Sequence, residues 1–243
     1  GVPIGVKDVI DTADYPTEMG SPIYSGHRPN YDAACISLLR QAGAIILGKT
    51  ITCEFAGMTP GATRNPLDLS RTPGGSSSGS AAAVADYMVP IALGTQTRGS
   101  ILRPASYCGI VGFKPSFGLV ARGGLKFAAE SLDTIGVFAR SIDDAALCAS
   151  VMCGHPDRDM QSLASPPVIG ICRDGLEHAE NATVEALEDA ATRLGAAGAK
   201  MREFSFPCDV EEFTAATKII NDVERARATV WEWQTSRGLI SDR

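Results

Sequence analysis

Apolar Ile4, Val6 and Ile10 mark residues 2–10 as an alternating segment, the pattern of a strand with one face turned inward. From Asp32 to Gln41, Ala34, Ile36, Leu38 and Leu39 fall at roughly helical spacing, and Gly43 supplies the stop. Ala44–Leu47 then reads as a short buried strand. A polar stretch rich in Pro, Gly and Arg connects Met58 to Pro73. Ser78–Tyr87 reads as a helix of small residues whose leading serines sit where capping oxygens belong, and Val89–Thr97 as another apolar strand. Ser141 is placed to cap a helix running through Val151, with Asp143 and Asp144 in its first turn. After a break near His155-Pro156 the pattern predicts a strand over Pro167–Cys172 and a helix over Thr183–Leu194. A short strand marked by Phe204 and Phe206 follows, then a long amphipathic helix over Val210–Trp233. This alternation predicts an α/β fold with a mixed, mainly parallel central sheet covered by helices.

Composition narrows the function classes. The 243 residues are 44% hydrophobic and 21% charged, which excludes intrinsic disorder, and no 18-residue apolar run is present to form a membrane span. A net charge of −6 argues against a general binder of nucleic acid or anionic membrane. The charge is unevenly placed. Residues 1–154 hold 12 basic and 12 acidic side chains and 20 of the 25 glycines, whereas residues 155–243 carry the whole excess of acid. Glycine is needed where backbone bends sharply or approaches a ligand, so the first stretch is the expected site-bearing part. The seven cysteines (35, 53, 108, 148, 153, 172 and 208) lack the paired spacing of a zinc site and read as reduced thiols.

Three constellations compete for the chemistry. Gly43–Thr50 matches the letter of a phosphate-binding P-loop, but its variable residues are Ala-Ile-Ile-Leu, a core strand, and the helix precedes it. Gly75–Gly79 matches the G-x-S-x-G nucleophile elbow, yet polar, turn-forming NPLDLSRTPG stands where an apolar strand is required. The third is a serine/lysine system. It combines Lys7, the serine-rich glycine loop 74–80 and the GTQTRGS loop ending at Ser100. A hydroxyl needs a base to become a nucleophile, and with no suitable histidine the base left is a lysine. An ordinary lysine, with a pKa of about 10.4, is neutral in only about one molecule in 2,500 at pH 7, so it must be desolvated to serve. Val2, Ile4, Val6 and Val9 offer that context. Taken alone, however, Lys7 reads as a surface lysine of a strand.

At these residues the chain resembles the amidase signature family. The matching stretches are GVPIGVKDVIDT, GKTITCEFAG, RTPGGSSSGSAAAVA, GTQTRGSILRPASYCGIVGFKPSFG and SLDTIGVFARSIDD, in family order between Gly1 and about Asp144. The resemblance implies residues 1–154 as the catalytic core and 155–243 as a truncated continuation of the same domain, the chain being a fragment of something longer. It implies Ser100 as nucleophile, Ser76 as a bridging serine after a cis peptide at Gly75, and Lys7 as the base. The backbone amides of Thr97, Arg98, Gly99 and Ser100 would form the oxyanion hole. The implied reaction is hydrolysis of a small carboxamide to carboxylate and ammonia through an acyl-enzyme, with no metal or organic cofactor. The implied partners are a small-molecule amide, no nucleic acid directly and no membrane, in a cytoplasmic setting that leaves room for a homodimer. Two alternatives stand beside this reading: a glutamine-hydrolysing amidotransferase A-type subunit, and a non-catalytic relative.

Two departures bear on that choice. Arg98 stands where most relatives have glycine. If the position needs a positive φ or close substrate approach, Arg98 strains the loop or narrows the pocket; otherwise its side chain points away. Arg103 lies three residues after Ser100, as in malonamidase-like members, where it resembles a clamp for a substrate carboxylate. An arginine that ties down the loop fits the same position.

Overall fold

The computed structural model describes residues 1–155 and 165–242, and the Pro156 side of the expected break lies outside them. The chain clusters into two compact units, Gly1–Asp159 with Asn221–Arg243, and Met160–Ile220.

In the first unit, β1 (Pro3–Lys7), β2 (Ile45–Thr50), β3 (Ile91–Gln96), β4 (Val111–Phe113) and β5 (Thr134–Ala139) form one sheet in the order β2-β1-β3-β5-β4. β1 pairs parallel with β2 and β3, while β5 pairs antiparallel with β3 and β4. β5 is therefore the one reversed strand of this mixed sheet. Every residue of β3 and β5 is buried, as expected for strands covered on both faces. Alternate positions feed two clusters: Ile91, Leu93, Ile135 and Val137 pack with Ile36, Leu39 and Met152, whereas Ala92 and Phe138 pack with Ala81, Val84 and Ile101. The helices α1 (Ala34–Gln41) and α4 (Ile142–Met152) thus belong to one face, and α2 (Ser78–Ala85) and α3 (Leu102–Tyr107) to the other.

The Ala/Ser composition of α2 lets it lie close against β1 and β3. Gly94 makes room for this layer: a Cβ there would stand 2.5 Å from the Phe138 ring and 2.9 Å from Ser77 Oγ. The serines of α2 do not cap it. Ser77, just before the helix, and Ser78 and Ser80 within it instead donate to the carbonyls of Thr95, Ile51 and Leu93, joining the helix start to β3 and to the residue after β2. Ser141 does cap α4, its Oγ accepting from Asp144 N at 3.1 Å.

Several boundaries differ from the periodicity. β1 ends at Lys7, where the chain turns and Val9 and Ile10 both donate to the Lys7 carbonyl. The P-loop-like segment is strand β2, and Lys49 on it bonds the Ile10 carbonyl and the Thr17 hydroxyl. The second unit holds β6 (Val168–Cys172), α5 (Asn181–Ala196) and β7 (Lys200–Phe204). β6 and β7 form a parallel pair, and Phe206 lies beyond the end of β7. The long C-terminal helix is two, α6 (Val210–Ala228) and α7 (Val230–Ser236), interrupted at Thr229, whose φ/ψ of −113°/15° is not helical.

Candidate active site

Parallel β1 and β3 end side by side, and their carboxyl ends carry Lys7 and Thr95-Gln96, the usual place for a ligand site in an α/β sheet. Lys7 is completely buried, which corrects its reading as a surface residue. Its Nζ donates to Ser76 Oγ at 2.8 Å and to Thr95 Oγ1 at 2.7 Å. Ser76 follows a cis Gly75–Ser76 peptide, and its carbonyl accepts from Cys53 N at 3.0 Å. Gly74 is required here, with φ of +78° and a Cβ position 2.8 Å from Pro104 Cα.

Ser100 closes the loop from β3 to α3 and is half-buried. Its Oγ has no hydrogen-bond partner among the described residues, so Lys7 and Ser76 are brought into direct contact while Ser100 is not bonded to either. The amides of Arg98, Gly99 and Ser100 likewise donate to no acceptor among the described residues. The loop is held from its two ends. Gln96 Oε1 accepts from Ile101 N and Leu102 N at 2.8 and 3.0 Å, and Thr97 Oγ1 donates to Asp133 Oδ1 at 2.5 Å. Pro104 fits in the first turn of α3, where a missing N–H has little cost.

The two arginines of the expected site differ in placement. Arg98 has no positive φ and an exposed side chain, so its backbone is ordinary. Arg103 donates through Nη2 to the Gly75 carbonyl at 2.7 Å, tying α3 to the loop that carries Ser76.

Burial is the largest influence on Lys7 and brings its pKa down from 10.5 to about 7. Cys53 and Asp133 act in the opposite direction and Arg225 in the same one. At that value about half of the Lys7 amines are neutral at pH 7. A neutral amine has two protons and a lone pair, so it can donate to one hydroxyl and accept from the other. The arrangement can therefore carry a proton between Ser76 and Lys7. Burial also pushes the Cys53 thiol up, which keeps it a neutral wall of the site.

Several contributors are not singled out by the sequence patterns described above. Thr95 and Gln96 lie within the GTQT stretch and Asp133 within SLDTIG, so motif position could have singled them out. Arg225 could not be found that way. It reaches across 170 residues to donate to the Phe55 carbonyl at 3.1 Å, supporting a turn in which Phe55 and Ala56 have φ of 47° and 54°. Glu54 anchors the same turn, accepting from Ser21 Oγ at 2.7 Å and Ser241 N at 3.0 Å.

Known proteins share this framework. The A subunit of glutamyl-tRNA(Gln) amidotransferase from Acidothermus cellulolyticus is 49% identical over 183 residues, covering 72% of this chain and 36% of that protein. The chloroplastic/mitochondrial A subunit of the same enzyme from Oryza sativa subsp. indica is 41% identical over 235 residues, covering 85% of this chain and 43% of its own length. Among solved structures, a crystal structure of an amidase superposes with a TM-score of 0.88 at 33% identity, over 99% of this chain and 56% of that one. The glutamyl-tRNA(Gln) amidotransferase A subunit from Thermotoga maritima gives 0.84 at 34% identity, over 94% and 55%. The chain thus spans less than half the length of these curated relatives. The sequence model of the Amidase family matches residues 1–235, and with that match and these relatives the chain belongs to the amidase family.

Proposed function

We propose that the chain carries a serine-dependent amide-hydrolysing site whose substrate amide is the side chain of glutamine, in the manner of an amidotransferase A subunit. The observation that carries the chemistry is the buried Lys7 amine, 2.8 Å from Ser76 Oγ and depressed to about pH 7. The substrate assignment rests on the amidotransferase relatives at 41–49% identity. In the proposed step Ser100 Oγ attacks the amide carbon and passes its proton to Ser76, which passes its own to Lys7. The carbonyl oxygen gains negative charge and is held by the amides of Thr97, Arg98, Gly99 and Ser100, where one well-placed donor is worth roughly 3–4 kcal/mol. The C–N bond then breaks as the nitrogen takes the proton back through Ser76 and leaves as ammonia. Water attacks the acyl ester, gives its proton to the same relay and restores Ser100.

Arg103 is proposed as a substrate contact as well as a tether. One N–H holds Gly75, and the others have no acceptor among the described residues, leaving them able to meet the α-carboxylate of glutamine. Because the relatives are subunits, the ammonia is expected to pass to a partner protein. A second reading, a free-standing amidase of small carboxamides, draws on the TM-score of 0.88 to an amidase over 99% of the chain.

The test is a fluorophosphonate probe applied to the full-length protein, with the adduct mapped by mass spectrometry. Labelling of Ser100, lost in Ser100→Ala and weakened in Lys7→Ala, supports the relay; a folded protein that never labels ends it. Ammonia release from glutamine, malonamate and neutral amides then separates the two substrate readings.

A further inference from the structure

The loop from Thr97 to Ser100 leaves three successive amides without a protein acceptor among the described residues, so its shape depends on the side chains at its ends. One of these is Asp133. It is 3% exposed, and its two oxygens have different tasks. Oδ2 accepts from Ala128 N at 2.6 Å and Ala129 N at 3.2 Å, closing the turn that precedes β5. Oδ1 accepts from Thr97 Oγ1 at 2.5 Å. A residue needed only to close its own turn would use Oδ2 alone. Nor does a cation neutralise it: Asp133 forms no ion pair among the described residues, so its charge is satisfied by hydroxyl and amide donors.

We propose that Asp133, acting through the Thr97 hydroxyl, is a positioning residue that sets the oxyanion loop 97–100 for acyl transfer. This rests on the reading of Ser100 as nucleophile. Thr97 is the first residue beyond β3, so its side chain fixes where the loop leaves the sheet, and Gln96 Oε1 fixes where it enters α3. With both ends set, the amides of Arg98, Gly99 and Ser100 are presented to a developing oxyanion without rearrangement. The same carboxylate acts on the base. Its negative charge favours the protonated form of Lys7, opposing the effect of burial.

The test compares Thr97→Val, which keeps shape and loses the hydroxyl, with Thr97→Ser, which keeps the hydroxyl, and with Asp133→Asn. The rate constant for fluorophosphonate labelling of Ser100 is measured from pH 5 to 9 in the full-length protein, with the melting temperature as a check on folding. Thr97→Val should label about tenfold more slowly or worse, and Thr97→Ser within about threefold of the parent, since the effect is that of positioned donors. Asp133→Asn should label more slowly and move its acid limb to lower pH, because removing a negative charge makes Lys7 easier to deprotonate. Thr97→Val labelling at the parent rate overturns the proposal, as does an unmoved acid limb in folded Asp133→Asn. If Asp133→Asn does not fold, the two threonine variants decide alone. A parent protein that does not label removes the functional reading and this inference together, whereas a labelling parent with indifferent threonine variants removes only the inference.

Discussion

The two compact units treat charge in opposite ways. In the larger one, Lys7, Glu54, Asp133 and Glu232 are buried, and each is bonded to hydroxyls, amides or a single cation. In the smaller one, Arg173 bonds Glu188 and Glu203 at 2.7 and 2.5 Å, but all three side chains are well exposed, the last at 76%. α5 has no buried residue, and β7 is exposed except for one half-buried position, whereas β3 and β5 are buried throughout. The contrast teaches where reactivity can be built. Removing water from Lys7 converts a surface cation into a base near neutrality, while the same charges left in water remain ordinary solvated groups.

The sharpest way to break this contrast is to remove the proposed relay. Lys7→Ala and Ser76→Ala should each lower turnover by about 10⁴–10⁶-fold, the range seen when one member of a hydrolytic triad is lost. Steady-state ammonia release provides the measurement, and a loss below tenfold would mean that the buried lysine is merely structural. In the parent, activity should rise with pH through about 7 as Lys7 becomes neutral.

The same burial has a stability cost with a defined sign. Lys7 holds its proton to 10.5 when exposed and to about 7 when folded, so between these values the unfolded chain binds more protons. Its contribution is therefore least favourable below pH 7, improves as pH rises from 7, and becomes neutral above 10.5. Lys7→Met removes that burden but also two hydrogen bonds. It should stabilise the fold at pH 6 by roughly 2–4 kcal/mol, from about 5 kcal/mol of relieved desolvation less about 1 kcal/mol per lost bond. The gain should be gone by about pH 9 and become a loss of about 2 kcal/mol near pH 10.5, where only the missing bonds count, and urea unfolding at pH 6 and 10.5 checks it. An equal effect at both would show that Lys7 is not depressed.

A smaller effect is expected at Arg98. Because its φ is not positive, glycine offers no release of strain. Arg98→Gly should change labelling of Ser100 by less than about threefold, against the large change expected if the loop needed a left-handed residue there. An increase above tenfold would restore the view that the side chain narrows the pocket.

What could be read in the sequence follows the same division. Local signals mark α1, α2, α4 and α5, because residue spacing and, for α4, the Ser141 cap are set by near neighbours in the chain. The continuous run Thr134–Ala139 lacks alternation, so periodicity does not mark β5 as a strand. α3, six residues long with Pro104 inside it, is equally quiet. Motif resemblance singles out Lys7, Ser76 and Ser100, but not what holds them. The Arg225 contact with the 55–56 turn, and the return of residues 221–243 to the first unit, depend on distant pairing that no local pattern encodes. The serines of α2 suit capping by their position alone; the adjacent strand backbone competes for the same hydroxyls and wins.

The least effect of all is expected where charge stays in water. Arg173 joins β6 and α5 chemistry through two carboxylates, and its fork geometry with Glu188 is close to ideal, with Nε and Nη2 at 2.7 and 2.8 Å. Even so, an exposed pair gains little over its hydrated partners and is weakened further by salt. Arg173→Ala should leave the urea midpoint close to the parent's, any difference should shrink as salt is raised, and labelling of Ser100 should be unchanged. Loss of labelling in this variant, with the fold intact, would mean that the solvated unit supports the buried site after all. The two would then have to be treated as one electrostatic system.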